Sequence, residues 1–295
     1  MGWITQTKIP VGRQAKAAFD WMQAHLGSAF DAVAAALGGV IDTILLVLQW
    51  PLDLAPFADD YVPLYDPALQ PYVVIAAFVA LAWWVRRSWR ICLLVGLGLL
   101  FIVNQGYWKA TTESLTLILT ACLLCMGLGV PLGIAAAHRP RLYRILLPVL
   151  DLMQTLPTFV YLIPAIVFFG LGMVPGLVAT VVFVLPAPIR LTHLGISSTP
   201  PALSEAADAF GATPLQKLWK VELPWALPQI MAGLNQVIML SLSMVVIAAL
   251  VGANGLGVPV VRALNSVNPA LGFESGMVIV VLAIVLDRML QRPRK

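Results

Sequence analysis

LTLILTACLLCMGLGVPLGIAAA, residues 115–137, holds twenty-three residues without a charged side chain. A helix needs about 20 mostly apolar residues to cross the hydrocarbon core of a bilayer, so this run is long enough to span. Six more apolar runs flank it, at residues 68–85, 91–107, 145–171, 174–194, 227–251 and 273–286. Of the 295 residues 60% are hydrophobic and 11% charged, with a mean hydropathy of +0.90. Soluble domains sit nearer one half apolar and one quarter charged. The expectation is an all-α, polytopic transmembrane bundle of about seven spans, forming one membrane domain over residues 68–295.

The first 67 residues read differently. Lys8, Arg13 and Lys16 precede Asp20, His25 and Asp31 with no clean apolar core, which is not the pattern of a cleaved signal. Between residues 30 and 50, Val33, Leu37, Val40, Ile41, Ile44, Leu45 and Leu48 recur at helical spacing, while Asp42, Thr43 and Gln49 interrupt it. This predicts an amphipathic helix lying at the membrane interface, with a true span as the alternative. Residues 51–71, with five prolines and Asp53, Asp59, Asp60 and Asp66, predict an exposed linker.

Alternating the sides of the seven runs collects thirteen Lys and Arg residues on one face, among them Arg86, Arg139, Arg190, Lys217 and Arg288, against five on the other, Lys8, Arg13, Lys16, Lys109 and Arg262. By the positive-inside rule the richer face is cytoplasmic. The N-terminus is then outside and the C-terminus inside, in a multi-pass protein of the cell's inner membrane. The net charge of +4 is accounted for by these short loops and does not point to nucleic acid.

Within the runs, Pro148, Pro157 and Pro164 interrupt the fourth, and Pro186 and Pro188 the fifth. Carbonyls freed by proline are tolerated at membrane depth where protein or a water-lined cavity satisfies them, so these two spans are candidates to line a pathway. Gly129 with Gly133, and Gly272 with Gly276, have the spacing that lets helices approach closely. Cys92, Cys122 and Cys125 lie in apolar runs as small packing residues; they form no disulfide or metal framework. Asp151 and Arg190 are the charges nearest membrane depth. They are expected to pair, with an inner gate as the functional role and snorkelling to the interface as the plain alternative.

Between the fifth and sixth runs stands SSTPPALSEAADAFGATPLQKLWKVELP, residues 197–224. Thr199 can cap a helix opening at Pro200, and Leu203, Ala206, Ala207 and Phe210 fall on one stripe of it. Gly211 suits the left-handed residue that ends a helix. A second start follows at Thr213 and Pro214, with Leu215, Leu218 and Trp219 facing one way. On spacing alone this is a helix, a sharp turn and a short helix, either projecting from the membrane or resting on its surface.

The residues themselves add more. Glu205-Ala206-Ala207, three residues, Gly211, nine residues and Val221-Glu222-Leu223-Pro224 resembles the EAA signature of permeases in binding-protein-dependent ABC importers, with Val221 for the commoner isoleucine. The resemblance implies a type I importer fold in which this loop docks into the ATPase subunit, with Glu205, Ala206, Ala207, Gly211, Leu223 and Pro224 at or near the contact. It also implies an ATP-binding subunit dimer that carries ATP and magnesium, an external substrate-binding protein, a permease homodimer set in membrane lipid, and no cofactor or metal in this chain.

Residues 153–164, 185–196 and 235–257 are similar to the quaternary-amine branch, which handles glycine betaine, proline betaine, choline or carnitine, and residues 260–276 lean toward its choline members. Holding a quaternary ammonium calls for aromatic faces. The nine tryptophans lie at span ends, in the tail or in the loop, where interfacial anchoring accounts for them. Phe159 and Tyr161, in the proline-broken fourth run, are the candidates for a low-affinity passage.

No glycine is followed by lysine, so the chain lacks a P-loop. Its three histidines form no cluster for acid–base or metal chemistry. The rival reading is a secondary, ion-coupled transporter of small organic cations or zwitterions. Such a carrier places ionisable groups deep among its spans, and these runs are nearly free of them.

Overall fold

The computed structural model describes residues 11–49 and 69–290. Most of the expected linker, Lys8, and the C-terminal Arg292, Arg294 and Lys295 lie outside the described residues. Within them every regular element is helical: α1 Val11–Gln49, α2 Gln70–Arg86, α3 Trp89–Asn104, α4 Trp108–His138, α5 Pro140–Thr155, α6 Thr158–Phe169, α7 Met173–Val184, α8 Pro186–Ser197, α9 Pro201–Ala209, α10 Pro214–Lys217, α11 Leu223–Ala249, α12 Gly257–Asn265 and α13 Pro269–Leu290, with a π turn over Leu218–Glu222.

At the centre α4, α8 and α11 pack against one another. Gly129 and Gly133 make the contact of α4 with α8 possible, because a Cβ on the first would come 2.7 Å from Pro188 and one on the second 2.6 Å from Thr192. The pair Gly272 and Gly276 makes no such approach: a Cβ on Gly276 would meet nothing within 4 Å. Thr111, Thr112, Thr116 and Thr120 of α4 are buried, and each hydroxyl donates to a backbone carbonyl three or four residues back. That satisfies polar groups where water is absent.

Four features differ from the sequence expectation. First, among the described residues five helices are long and apolar enough to cross a membrane, residues 12–49, Trp108–His138, Met173–Ser197, Pro214–Ala249 and Pro269–Leu290, and the bent pair Pro140–Thr155 with Thr158–Phe169 makes up to six. α2 and α3 have 17 and 16 residues, about 25 Å each at 1.5 Å per residue, short of a full crossing.

Second, α1 begins at Val11 rather than near residue 30, carried by helix-forming alanines. By length and composition it qualifies as a span as well as an interfacial helix. It packs on α4, α6 and α7, with Phe30 stacked on Phe168 at 4.4 Å. Gln49 Nε2 donates to Thr112 Oγ1 (3.0 Å) and Gln70 Nε2 to the Leu48 carbonyl, fastening its end.

Third, the run 145–171 is not one straight span: α5 and α6 meet at 98°. Pro157 supplies no N–H and holds Leu156 extended (φ −68°, ψ 137°). The Tyr161 hydroxyl spans the break, 2.7 Å from the Met153 carbonyl and 3.3 Å from that of Leu152.

Fourth, the second helix of the 197–224 loop does not stop. It runs through the π turn into α11 as one element, Pro214–Ala249. A short helix the sequence reading left out, α12, follows it.

Candidate functional site: a projecting lever

α9 stands off the bundle with no buried residue. Its first residue is Pro201, with Pro200 as the cap. Thr199 does not cap it: its hydroxyl is buried and has no hydrogen-bond partner among the described residues. Pro200 is extended (φ −56°, ψ 133°), which starts the helix one residue later than expected and leaves Thr199 behind the turn.

The C-terminus is closed as the sequence suggests. Gly211 has φ +74°, the Gly211 N–H donates to the Asp208 carbonyl, and the Ala212 N–H donates to that of Ala207. This double bond pattern is the Schellman motif. Thr213 and Gln216 then form a capping box, the Gln216 N–H donating to Thr213 Oγ1 and the Thr213 N–H to Gln216 Oε1. Lys217 Nζ reaches back to Asp208 Oδ2 at 2.9 Å. Helix, turn and helix are thus tied by backbone, side-chain and charged contacts.

The apolar stripe of α9 is largely uncovered among the described residues. Phe210 is 92% exposed and Leu203 43%, and Glu205 and Ala206 beside them are exposed too. The structure divides the six expected coupling residues between two places. Glu205, Ala206, Ala207 and Gly211 lie on the projecting helix and its turn. Leu223 and Pro224 lie at the root of α11, lining an open apolar groove of about 770 Å³ whose far wall is Val130, Pro131, Ile134 and Ala135 of α4.

Two polar contacts at this root were not legible in the sequence. The Trp225 indole donates to the Ser198 carbonyl at the end of α8 (3.1 Å). Glu222, the one buried charged side chain among the described residues, has Oε2 2.8 Å from His138 Nε2 at the end of α4. Glu222 sits inside the signature, and that membership was the one signal available in the sequence. The histidine comes from another part of the chain, and no spacing announces it.

Of the pathway candidates, Asp151 and Arg190 meet, Arg190 Nη2 donating to Asp151 Oδ1 at 2.6 Å, both partly exposed. Tyr161 spends its hydroxyl on the α5–α6 break. Phe159 is 56% exposed and stacks on no other ring among the described residues. No group of three or more metal-ligating side chains occurs among the described residues.

Fold and site together define a class: a polytopic helical membrane protein that holds an apolar-faced helix, turn and helix clear of its bundle. The chain belongs to the family described as binding-protein-dependent transport system inner membrane components, whose model matches residues 129–291. It is 47% identical to the glycine betaine/carnitine transport permease protein GbuB of Listeria monocytogenes, over 84% of each chain. It is 50% identical to the glycine betaine transport system permease protein OpuAB of Bacillus subtilis, over 72% of this chain and 76% of that one. With the glycine betaine/proline betaine permease protein ProW of Escherichia coli the identity is 46%, over 74% of this chain and 62% of that one.

A relative named for choline, OpuBB of Bacillus subtilis, is 31% identical over 61% of this chain. That order runs against the lean toward choline members in residues 260–276. In fold the chain matches the MetNI methionine ABC transporter, described in inward-facing conformations, with a TM-score of 0.53 and 24% identity, over 61% of this chain and 94% of that one. The family membership sets aside the secondary-carrier reading.

Proposed function

We propose that this chain is the permease of an ATP-driven importer for glycine betaine and proline betaine, and that α9 is its contact with the ATPase. The observation that carries the coupling role is the bare face of α9. A Phe210 left 92% exposed on a helix fixed at both ends is costly in water, since burying such a side chain is worth about 1.5–3 kcal/mol, unless a partner covers it. Glu205 on the same exposed helix offers a charge to a basic partner.

In this scheme two permeases face two ATPase subunits, which bind ATP and magnesium and carry out the hydrolysis. An external binding protein delivers the substrate. The Lys and Arg bias puts α9 and the C-terminus on the cytoplasmic side, and counting the seven apolar runs as crossings with α1 at the interface puts the N-terminus outside. The 45–50% identities to permeases named for glycine betaine support the substrate class. ATP-driven closure moves α9, and the unbroken element from Pro214 to Ala249 carries that motion into the bundle, shifting the balance between two access states.

The test is uptake of radiolabelled glycine betaine, proline betaine and choline in cells without importers of their own, with the ATPase and binding protein supplied. Uptake of the two betaines that requires both partners is expected. Uptake needing neither partner, or choline alone being carried, contradicts the proposal.

A further inference from the structure

The face that α11 leaves uncovered differs in kind from that of the other long helices. From Pro228 to Ala249 the only exposed residues are Pro228, Gln229, Ala232, Gln236 and Ser243, and none of them has a large apolar side chain. Gln229, Gln236 and Ser243 stand seven residues apart, close to two helical turns, so they fall on one stripe, with Ala232 beside it. The stripe runs about 21 Å along the axis at 1.5 Å per residue. That is most of the roughly 30 Å of a bilayer's hydrocarbon core.

Neighbouring helices show what this chain turns toward lipid. At comparable places α4 exposes Leu119, Leu123 and Leu128, and α13 exposes Met277, Val280 and Ile284. A glutamine amide brings two donors and an acceptor, which hydrocarbon cannot satisfy. Polar side chains inside spans accordingly face protein or a water-filled cavity. The bundle of this chain does not cover the stripe, because α11 packs through its other side, where Ile230, Ser241 and Val245 are buried.

The stripe also adjoins elements already described. At the end nearer the lever it lies against α8, where a Cβ on Gly195 would come 3.0 Å from that of Gln229. The same α8 carries Arg190, paired with Asp151. α11 is itself the continuation of the lever, one element from Pro214 to Ala249.

We infer that Gln229, Gln236 and Ser243 form one wall of the water-filled passage that the substrate crosses, with the same stripe of a second copy of this chain as the facing wall. This rests on the importer reading proposed above and names the residues its substrate meets. The chemistry suits a betaine. Its carboxylate accepts hydrogen bonds from amide and hydroxyl donors, while its quaternary ammonium has no N–H to give and lies against the amide oxygens. Neither end meets a full charge on this wall. Passage needs contacts of this weak, repeated kind, because a site that holds tightly does not release.

The experiment uses the complete complex of permease, ATPase and binding protein in proteoliposomes, with Gln229→Cys, Gln236→Cys and Ser243→Cys as separate variants. Each is treated with a methanethiosulfonate reagent that carries a trimethylammonium group and is present on both faces of the membrane. A thiol reacts as the thiolate, and a permanent cation is kept out of hydrocarbon. The three thiols should react about 100-fold faster than that of Leu123→Cys on the lipid side of α4, the scale set by excluding a charge from the bilayer centre. The wild type, with Cys122 and Cys125 buried and Cys92 half-buried, gives the background. Gln236→Leu should lose glycine betaine uptake at unchanged membrane abundance, and Leu123→Ala should keep it. If the wild type shows no binding-protein-dependent uptake, the importer reading fails and this one with it. If wild-type uptake is normal but the three thiols react as slowly as that of Leu123→Cys, the stripe lies in lipid or in a dry contact between copies, and the passage wall alone is overturned. Gln236→Leu transporting like the wild type overturns it equally.

Discussion

Single side chains decide whether the lever is stiff. Gly211 has open space around it, so a larger residue fits sterically, but its φ of +74° is a conformation that costs an L-residue roughly 1–2 kcal/mol. Gly211→Val is expected to loosen the turn and abolish uptake while membrane abundance, read by immunoblot, stays at the wild-type level. Loss of the protein from the membrane would instead make Gly211 a folding residue.

The Asp151–Arg190 pair invites the converse test. An exposed pair contributes only about 0–1 kcal/mol to stability, so Asp151→Arg and Arg190→Asp should each lose uptake without a large change in melting temperature. The double reversal should recover much of it. Uptake that survives both single changes shows that the pair is no part of the gate.

Both pairs contrast in how far the sequence exposed them. Asp151 and Arg190 stood out as the two charges at depth in otherwise apolar runs, and two such charges have few ways to be satisfied. His138 and Glu222 each looked like ordinary residues at a helix end. Only the fold of α4 against the π turn makes Glu222 buried and His138 its neighbour.

At the scale of elements, the angle between α5 and α6 and the contact between α4 and α8 are the features to probe. Prolines in the run 145–171 announced a break. The 98° angle was not readable, because it depends on a tyrosine hydroxyl from the next helix reaching back over the break. Tyr161→Phe leaves the Met153 and Leu152 carbonyls without that donor, and losing such a bond costs about 1–3 kcal/mol when the acceptor is cut off from water. A lowered melting temperature in detergent is expected, and an unchanged one means that water replaces the hydroxyl.

For the α4–α8 contact, Gly133→Val drives side-chain atoms into Thr192, and overpacking of this kind costs about 1–3 kcal/mol. Gly276→Ala meets nothing within 4 Å and should melt as the wild type. The sequence offered both glycine pairs on equal terms. Whether a partner helix lies tightly against them is a property of the packed bundle: a Cβ would clash at both residues of the first pair, while in the second it would make an ordinary contact with Ala263 at Gly272 and meet nothing at Gly276.

Across the whole molecule, membrane character was legible from composition, because lipid leaves a chain few alternatives to apolar helices. The number of crossings was less so: α2 and α3 have 17 and 16 residues, α1 is longer than its apolar stretch, and the run 145–171 is bent by 98°. The turn of the lever was legible residue by residue, while its start, which Thr199 does not cap, and its continuation into α11 were not. Its signals, Gly211, Thr213 and the prolines, act on their own neighbours and need no tertiary context.

The central claim is that the exposed face of α9 meets the ATPase. The most direct measurement replaces Phe210 by cysteine in one variant and Phe273, which is 74% exposed on α13, in another, and treats the complex with a short thiol–amine crosslinker. The wild type, whose Cys122 and Cys125 are buried and Cys92 half-buried, serves as the control. The account predicts a permease–ATPase product from Phe210→Cys and none from Phe273→Cys. A product from Phe273→Cys with none from Phe210→Cys would place the ATPase at the other end of the bundle and contradict it.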